Sequence, residues 1–285
     1  MKWEQKGNYV ENRKFQQFDI GQILECGQTF RFKKMGEGHY RLIAFGQVLN
    51  IQQDSETVRF SYEGIKQLTI DEFERIWLDY FDLKRDYGEI QAKITKNDPV
   101  MQKAVDYAPG IRILQQDPWE MTISFIISQN NRIPQIQRII ENICKTYGTK
   151  IADSYFAFPT PAQLKSATAV ELRALGAGYR DEYIINAVVH SSTLKADNLT
   201  SIKGIGEKVA HCIRLFGYGC YDSFPIDVWV KRVMCELYFE GESASNAKIK
   251  AYAEEKFGEF AGFAQQYLFH YIRTGYEKTS FSEKK

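Results

Sequence analysis

The stretch LTSIKGIGEKVAHCIRLFGYGCYDSFPIDVWVKRVMC, residues 199–235, predicts a helix, a tight glycine turn, a second helix, a loop and a third helix. Lys208 stands two residues after Gly206, in the first turn of the second helix, and Asp227 stands where the third helix begins. Backbone amides at such a glycine turn can bind a phosphate group. An amine, a carboxylate and a phosphate-binding turn together indicate nucleophilic chemistry on DNA rather than simple binding.

The whole chain predicts an α+β protein, in which an N-terminal antiparallel β domain is followed by an all-α region. Residues 16–62, which include FDIGQILECGQTFRF, are rich in Phe, Tyr, Val and Ile and are broken by glycines, as is typical of strands. From Tyr87 onward, helical patterns follow one another with short breaks. We predict a first domain at residues 1–85 and a helical region at residues 86–285, whose helix-hairpin-helix spans about 199–219.

Two finer predictions concern the ends of segments. Asp71 is expected to cap the helix that contains EFERIWLDYF, because a short carboxylate can accept hydrogen bonds from the first free amides. The tail EKTSFSEKK, residues 277–285, is polar and is expected to be frayed.

Charge and cysteine content narrow the functional classes. The 285 residues carry a formal net charge of +1, so DNA contacts must come from local patches and backbone amides rather than from bulk basicity. The five cysteines show no C-x-x-C spacing, and we therefore expect no metal and no cofactor. No signal peptide or membrane-length apolar run is visible. We expect a cytoplasmic monomer with no membrane partner, associated with the nucleoid in a bacterium.

Lys208 and Asp227 are the candidate catalytic residues. Lysine is ordinarily protonated and poorly nucleophilic, but a helix N-terminus and partial burial both disfavour the ammonium, so this amine could attack carbon. The alternative for Lys208 is a solvated lysine on an amphipathic helix. Asp227 is expected to cap the helix that begins at Val228, and a carboxylate of fixed direction also suits the stabilisation of a developing cation.

The spacing of these residues resembles a known signature. Gly-Ile-Gly-x-Lys, with the aspartate of Pro-x-Asp nineteen residues after the lysine, is similar to the helix-hairpin-helix Gly/Pro-Asp DNA glycosylase superfamily. Five stretches resemble, in order, the 8-oxoguanine DNA glycosylase/lyase family: CGQTFRF (26–32), SQNNRIPQI (128–136), LGAGYR (175–180), KVAHCI (208–213) and FAQQYLF (263–269). Their order over most of the chain is more specific than the hairpin, which also occurs in non-catalytic modules.

The resemblance implies an enzyme that acts on double-stranded DNA containing 8-oxoguanine. The enzyme would flip the damaged base out of the duplex and displace it with Lys208, which forms a Schiff base with the sugar. β-Elimination would then nick the strand. Asp227 resembles the family's helper carboxylate.

The resemblance also implies a pocket for the damaged base. Gly27 matches the glycine whose carbonyl accepts the N–H that distinguishes 8-oxoguanine from guanine. Cys212 and Phe269 are similar to the residues that sandwich the flipped base, and Gln265 is similar to the glutamine that binds its Watson–Crick edge.

A further set of residues is implied to contact the DNA around the gap. Asn130 resembles the residue that fills the vacated stack, Tyr179 the wedge beside it, and Arg180 an arginine that reads the orphaned cytosine. The other DNA-binding candidates are Gln135, Lys203, Gly204 and Gly206.

The chain departs from the family pattern at four positions. These are Lys203 in place of a proline, Trp229 in place of a histidine, Arg132 in place of an asparagine, and Gln135 in place of an arginine that reads the opposite cytosine. The departures at Trp229 and Gln135 affect predicted contacts with phosphate and with the estranged base.

Two other interpretations are open from the sequence. One is a glycosylase for another purine lesion on the same fold, against which Gly27, Gln265 and Phe269 argue. The other is a non-catalytic helix-hairpin-helix DNA-binding protein, against which Lys208 and Asp227 together argue.

Overall fold

The computed structural model describes residues 2–13, 16–64 and 66–276, so the predicted frayed tail lies outside the described residues. Within those residues, an antiparallel sheet of six strands precedes a helical region, which confirms the predicted α+β class. The sheet has the order β1-β2-β6-β5-β4-β3. Its strands are β1 (Glu4–Lys6), β2 (Tyr9–Arg13), β3 (Phe32–Gly36), β4 (His39–Ala44), β5 (Gln47–Gln53) and β6 (Thr57–Tyr62).

The central hairpin of the sheet follows from a two-residue turn. Phe45 and Gly46, between β4 and β5, have φ angles of 50° and 68°. Two successive positive φ angles make a turn whose twist matches that of the flanking strands. One face of the sheet then packs on aromatic side chains, with the Phe60 ring centroid 5.1 Å from that of Phe73 and 5.3 Å from that of Phe81.

Helices make up most of the remaining chain. In chain order they are α1 (Ile20–Glu25), α2 (Ile70–Glu72), α3 (Leu78–Tyr80), α4 (Tyr87–Thr95), α5 (Pro99–Tyr107), α6 (Pro118–Ser128), α7 (Ile133–Tyr147), α8 (Pro161–Leu164), α9 (Ala169–Ala174), α10 (Asp181–Val189), α11 (Glu207–Tyr218), α12 (Val228–Tyr238), α13 (Asn246–Phe257) and α14 (Ala261–Tyr271). A π-helical segment, Phe73–Trp77, joins α2 to α3, and another, Ile272–Tyr276, continues α14.

Helix α6 is the centre of the helical region. Every residue from Met121 to Ile127 is buried, so the helix is apolar on all sides. Phe125 stacks on Phe216 of α11, with ring centroids 5.6 Å apart and planes 17° from parallel. This packing fixes the position of α11, on which Lys208 lies.

Three sequence-based expectations about the secondary structure are wrong. Residues 20–25, expected to be a strand, form helix α1, because Asp19 accepts a hydrogen bond from the Gln22 amide and the apolar residues of the segment have helical spacing. Thr69, rather than Asp71, caps α2, and its hydroxyl accepts from the Glu72 amide. The helical region also contains a short two-stranded ribbon, β7 (Lys150–Ala152) and β8 (Tyr155–Phe156).

Two buried polar side chains of the CGQTFRF stretch join the sheet to the helical region. The Gln28 side chain donates to the Arg112 carbonyl at 2.7 Å and accepts from the Leu114 amide at 2.8 Å. Arg31 donates to Glu141 at 2.9 Å and to the Phe156 carbonyl at 2.6 Å. The stretch therefore has a structural role as well as the predicted one, and the predicted domain boundary at residue 85 stays a prediction.

A carboxylate beside this junction predicts a pH-dependent stability. Burial raises the pKa of Glu120 from 4.5 to about 7. The charge of the Arg31 guanidinium favours the ionised carboxylate and opposes this rise. Because the folded state then binds more protons than the unfolded state, stability falls as the pH rises from about 4.5 to about 7. Glu120→Gln is expected to stabilise the protein by about 1–3 kcal/mol at pH 8.

Thermal unfolding of wild type and Glu120→Gln between pH 4 and pH 8 measures this effect. The gain should shrink toward pH 4, where the wild-type carboxyl is also neutral. Glu255→Gln, at an exposed position of α13, is the matched control and should show no such trend. An equal change in melting temperature at every pH would contradict the assignment.

Candidate active site

The glycine turn before α11 is set by close packing. Gly204 has a φ of 101°, and a Cβ added there would lie 2.3 Å from Cγ of Tyr183, so the position requires glycine. Gly206 is the N-cap residue of α11 and is exposed. The first amides of α11 therefore point toward solvent beside the turn, as a phosphate-binding helix N-terminus requires.

Lys208 lies in the first turn of α11, as the sequence predicts, and is half-buried. Its Nζ atom is 5.5 Å from the centroid of the Phe125 ring, which places the amine against an apolar wall. A cavity of about 240 Å³ opens beside it, and Lys250 of α13 and Ile226 of the Pro-Asp loop also line this cavity.

Asp227 is the N-cap residue of α12, which confirms its predicted position. Its Oδ1 atom accepts from the Trp229 amide at 3.0 Å and from the Val230 amide at 2.8 Å. Because both bonds use Oδ1, the cap fixes the direction of the carboxylate without consuming Oδ2. Capping and electrostatic stabilisation of a cation are therefore compatible in this geometry.

The Cys212 thiol lies close to both charged groups. The thiol is buried one turn after Lys208 on α11. Burial raises the pKa of the thiol, a hydrogen bond and the charge of Lys208 act against the rise, and the charge of Asp227 adds to it. Lys208 in the first turn of α11 and Asp227 at the N-cap of α12 thus both act on the buried Cys212 thiol.

Gly27 and Phe269, which are far apart in sequence, are neighbours in space. Gly27 has a φ of 89°, and a Cβ added there would lie 3.1 Å from Cε1 of Phe269. The Gln266 side chain donates to the Cys26 carbonyl at 3.1 Å and ties α14 to this loop. Gln265 is 4% exposed on the same helix. These contacts assemble the second part of the predicted pocket.

The Asn130 and Tyr179 side chains meet at the surface, where a wedge would have to lie. Asn130 is exposed at a φ of 47°, and its Nδ2 atom is 3.4 Å from the Tyr179 hydroxyl. Tyr179 is 50% exposed. Its ring contacts the Tyr183 ring, with centroids 5.9 Å apart, and the Arg180 guanidinium, whose Cζ atom is 4.5 Å from the Tyr179 centroid. Both side chains are thus accessible at the surface, and their entry into a DNA duplex stays a prediction.

Arg180 is placed differently from a base-reading side chain. It is 7% exposed and donates to the Ala177 carbonyl at 3.2 Å, to the Asn130 carbonyl at 3.2 Å and, from both Nε and Nη2, to the Gln129 carbonyl. The guanidinium therefore holds the loop that presents Asn130. Its reading of an orphaned cytosine stays a prediction, and in this conformation its donors are occupied by backbone.

The four departures from the family pattern lie at the starts of helices or in the glycine turn. Gln135 is half-buried in the first turn of α7, with its Nε2 atom 3.7 Å from the position of a Cβ on Gly176. Lys203 is exposed and pairs with Glu182 at 3.4 Å. Arg132 is exposed at the N-cap of α7, and Trp229 is half-buried in the first turn of α12.

Comparison with known proteins decides the family. The model of the 8-oxoguanine DNA glycosylase N-terminal domain matches residues 12–122, and that of the HhH-GPD superfamily base excision DNA repair proteins matches residues 123–259. The structure of Clostridium acetobutylicum 8-oxoguanine glycosylase/lyase, bound to double-stranded DNA containing cytosine opposite 8-oxoguanine, is 39% identical in sequence. It superposes with a TM-score of 0.88 over 96% of this chain and 98% of that chain. The chain belongs to the 8-oxoguanine DNA glycosylase family.

Other relatives agree with this membership. The structure of MBOgg1 with a low-affinity DNA ligand is 37% identical and has a TM-score of 0.89 over 96% of this chain and 99% of that chain. The N-glycosylase/DNA lyase OGG1 of Arabidopsis thaliana is 27% identical over 85% of this chain and 74% of its own length. The predicted family, base excision repair and the bifunctional glycosylase/lyase class are therefore confirmed, with DNA as the partner.

Two predictions, on oligomeric state and on cellular location, are not tested by these comparisons. The monomeric state and the cytoplasmic location stay predictions. Within the part of the chain that the structure describes, we find no helix of the length and apolarity that a membrane span requires.

One residue beside the predicted pocket was missed by sequence reasoning. Arg273 follows Phe269 by four residues, and its Cζ atom is 5.0 Å from the centroid of the Phe269 ring. Its Nη2 atom donates to the Glu25 carbonyl at 2.7 Å. The i,i+4 spacing is a sequence signal for contact with Phe269, but only the fold shows that the guanidinium reaches the loop at Gly27.

Proposed function

We propose that this glycosylase excises 8-oxoguanine from duplex DNA and nicks the strand, with Lys208 as the nucleophile and Asp227 as the stabilising carboxylate. The observation that carries the proposal is the placement of Lys208 in the first turn of α11 and of Asp227 at the N-cap of α12, with both groups acting on the buried Cys212 thiol. Such an arrangement of an amine, an apolar wall and a fixed carboxylate suits attack on a sugar carbon better than DNA binding alone.

The proposed chemistry begins at the anomeric carbon of the flipped nucleotide. The neutral Lys208 amine forms a bond to C1′ while the bond from C1′ to the base breaks, and the base leaves with the electron pair and takes up a proton. One amine proton passes to the departing base, and the other passes to the ring oxygen O4′, whose bond to C1′ breaks as the sugar opens to the imine. Removal of a proton from C2′ then expels the 3′ phosphate, and the strand is nicked.

Asp227 would act on the charge that develops during base departure. Positive charge grows on the sugar as the base leaves, and a carboxylate held in fixed direction stabilises it without reorganisation. The two amide bonds to Oδ1 supply the fixed direction. The Asp227 carboxylate would therefore both cap helix α12 and stabilise the reacting sugar.

Recognition of the lesion would depend on the second part of the pocket. At the imidazole edge, 8-oxoguanine donates a proton where guanine has a lone pair, so the Gly27 carbonyl would bind the first and repel the second. The Gln265 Oε1 atom is buried and, among the described residues, has no hydrogen-bond partner. An acceptor in that state is suited to the N–H donors of a purine's Watson–Crick edge. Stacking on Phe269 would offset part of the unstacking cost.

The grip on DNA would come from the hairpin and the wedge. The amides after Gly206 would bind a phosphate, and Lys203 adds a positive charge beside them. Asn130 and Tyr179 would fill the gap that the flipped base leaves. We propose that the enzyme acts as a monomer on DNA in the cytoplasm or nucleoid.

A panel of duplexes, each with a single lesion, tests the proposed function. The labelled strand is analysed on a denaturing gel before and after hot alkali, since alkali reveals excision without nicking. We expect cleavage at 8-oxoguanine without alkali and no cleavage at guanine. Preference for another purine lesion, or binding without any cleavage, would contradict the proposal.

The base opposite the lesion gives a further prediction. Because Gln135 is neutral and can present either its carbonyl or its amide, it should tolerate several opposing bases. Gln135→Arg should sharpen the preference for cytosine by about 1–3 kcal/mol, since arginine offers charged donors to the cytosine acceptors. Excision rates from four duplexes that differ only in the opposing base measure this preference.

The control for this prediction is Arg138→Gln, an exposed position further along α7. It should leave the opposing-base preference unchanged. A wild-type enzyme that is already strongly selective for cytosine, with no effect of Gln135→Arg, would show that Gln135 does not face the estranged base.

A further inference from the structure

Arg273 lies inside the pocket that is proposed to receive the flipped base. A Cβ added to Gly27 would lie 2.9 Å from the Arg273 Nη1 atom and 3.1 Å from Cε1 of Phe269. The guanidinium is therefore next to both residues that are proposed to recognise the base. It is held there by the Glu25 carbonyl at 2.7 Å and by the Phe269 ring, 5.0 Å from Cζ to the centroid.

Arg273 is half-buried. Burial lowers the pKa of Arg273, while the groups of Cys26 and Asp227 favour the charged form. The charge of the carboxylate that caps α12 thus acts on the guanidinium, which lies next to the loop at Gly27. Arg273 is the second residue of the π-helical segment Ile272–Tyr276, in which side chains point in directions different from those of a continued α-helix.

A guanidinium and a purine compete for the same features of such a pocket. Both are flat groups that stack on an aromatic ring, and both offer N–H donors to a carbonyl. Base entry beside Gly27 and Phe269 therefore requires the guanidinium to leave its contacts with Glu25 and the ring. The free-energy cost of moving the guanidinium reduces the binding free energy of any base that enters.

We propose that Arg273 occupies the nucleobase pocket of the DNA-free enzyme and must be displaced before a flipped base can bind. This inference rests on the proposed function, because it assumes that Gly27 and Phe269 form the base pocket. Since the cost of displacement is the same for every base, Arg273 would lower the occupancy of the pocket by undamaged bases. The ratio of affinities for two different bases would not change.

An abasic site separates this role from other roles of a positive charge. A duplex with a tetrahydrofuran abasic analogue has no base to insert, so its binding does not require an empty pocket. Any general loss of DNA attraction on removing the arginine would weaken both ligands equally. Only displacement from the pocket predicts a change that is confined to the duplex with a base.

The experiment measures the Kd of two duplexes, one with 8-oxoguanine opposite cytosine and one with the tetrahydrofuran analogue opposite cytosine. The proteins are Lys208→Gln, which prevents turnover, and Lys208→Gln combined with Arg273→Leu. We expect the second substitution to tighten binding of the 8-oxoguanine duplex by about tenfold relative to the tetrahydrofuran duplex. Unchanged or weaker relative binding of the 8-oxoguanine duplex would overturn the proposal and would assign Arg273 to support of the pocket.

Two further variants keep the test decisive. Phe269→Ala in the same background should weaken the 8-oxoguanine duplex selectively; if it does not, the pocket assignment fails and the Arg273 proposal falls with it. Melting temperatures report folding. Should Arg273→Leu not fold, Arg273→Lys takes its place, because lysine keeps the charge and the stem but lacks the planar group, and the same selective tightening is expected.

Discussion

Replacement of Lys208 by glutamine is expected to reduce excision of 8-oxoguanine by at least about 10³-fold, to the background of the assay. Glutamine keeps the approximate length and polarity of the side chain but has no lone pair on nitrogen that can attack C1′. DNA binding should survive within a fewfold, because the amides after Gly206 and the wedge residues Asn130 and Tyr179 are unchanged. The measurements are single-turnover excision rates and duplex Kd values.

Lys250→Gln is the matched control for this substitution. Lys250 lines the same cavity as Lys208 but lies on α13, outside the glycine turn. It should retain excision. If Lys250→Gln lost activity and Lys208→Gln retained it, the nucleophilic amine would lie on α13. That result would contradict the assignment of Lys208 on α11 as the nucleophile.

Replacement of Asp227 by asparagine is expected to lower the excision rate by about 10²–10³-fold, as the loss of a preorganised electrostatic group does in other enzymes. Stability should change little, because asparagine caps a helix about as well as aspartate and can accept from the Trp229 and Val230 amides. Single-turnover rates, duplex Kd and melting temperature are measured on the same preparations.

The control is Asp117→Asn, at the N-cap of α6. Its Oδ1 atom accepts from the Glu120 amide at 2.8 Å, so the variant makes the same change at another capping site. It should keep both stability and activity. If Asp227→Asn lowers the melting temperature sharply and leaves excision unchanged, the carboxylate is structural only.

The parts of the site with strong local signals could be predicted from sequence. The start of α11 after Gly206 and the cap of α12 at Asp227 depend on residues within one turn, and both predictions are confirmed. Gly204 could also be singled out from the sequence, because its positive φ angle and its close packing both require a residue without a Cβ atom. Each sequence motif is also a short local pattern, and the order of the five motifs predicted the family.

The errors in the fold arose where two local signals compete. Segment 20–25 is apolar and β-branched, which favours a strand, but Asp19 stops the strand and caps helix α1. Similarly, Thr69 and Asp71 are both capping residues, and the register of the helix that packs against the sheet selects Thr69. Short segments of this kind are decided by tertiary packing.

The parts that sequence could not predict involve contacts across the fold. Arg180 matches a base-reading arginine by motif, yet it donates to the Ala177 carbonyl and to backbone carbonyls of the loop that carries Asn130. Arg273 has no motif at all, and its contact with the Glu25 carbonyl joins residues from opposite ends of the chain. No local pattern specifies either contact.

The most direct test of the account is borohydride trapping of the wild-type enzyme on an 8-oxoguanine duplex, followed by mass mapping of the cross-linked peptide. Borohydride reduces the imine and fixes the nucleophile to the sugar. The account predicts a single adduct, on the peptide that contains Lys208. An adduct on another lysine such as Lys203 or Lys250, or excision with no adduct at all, would contradict it.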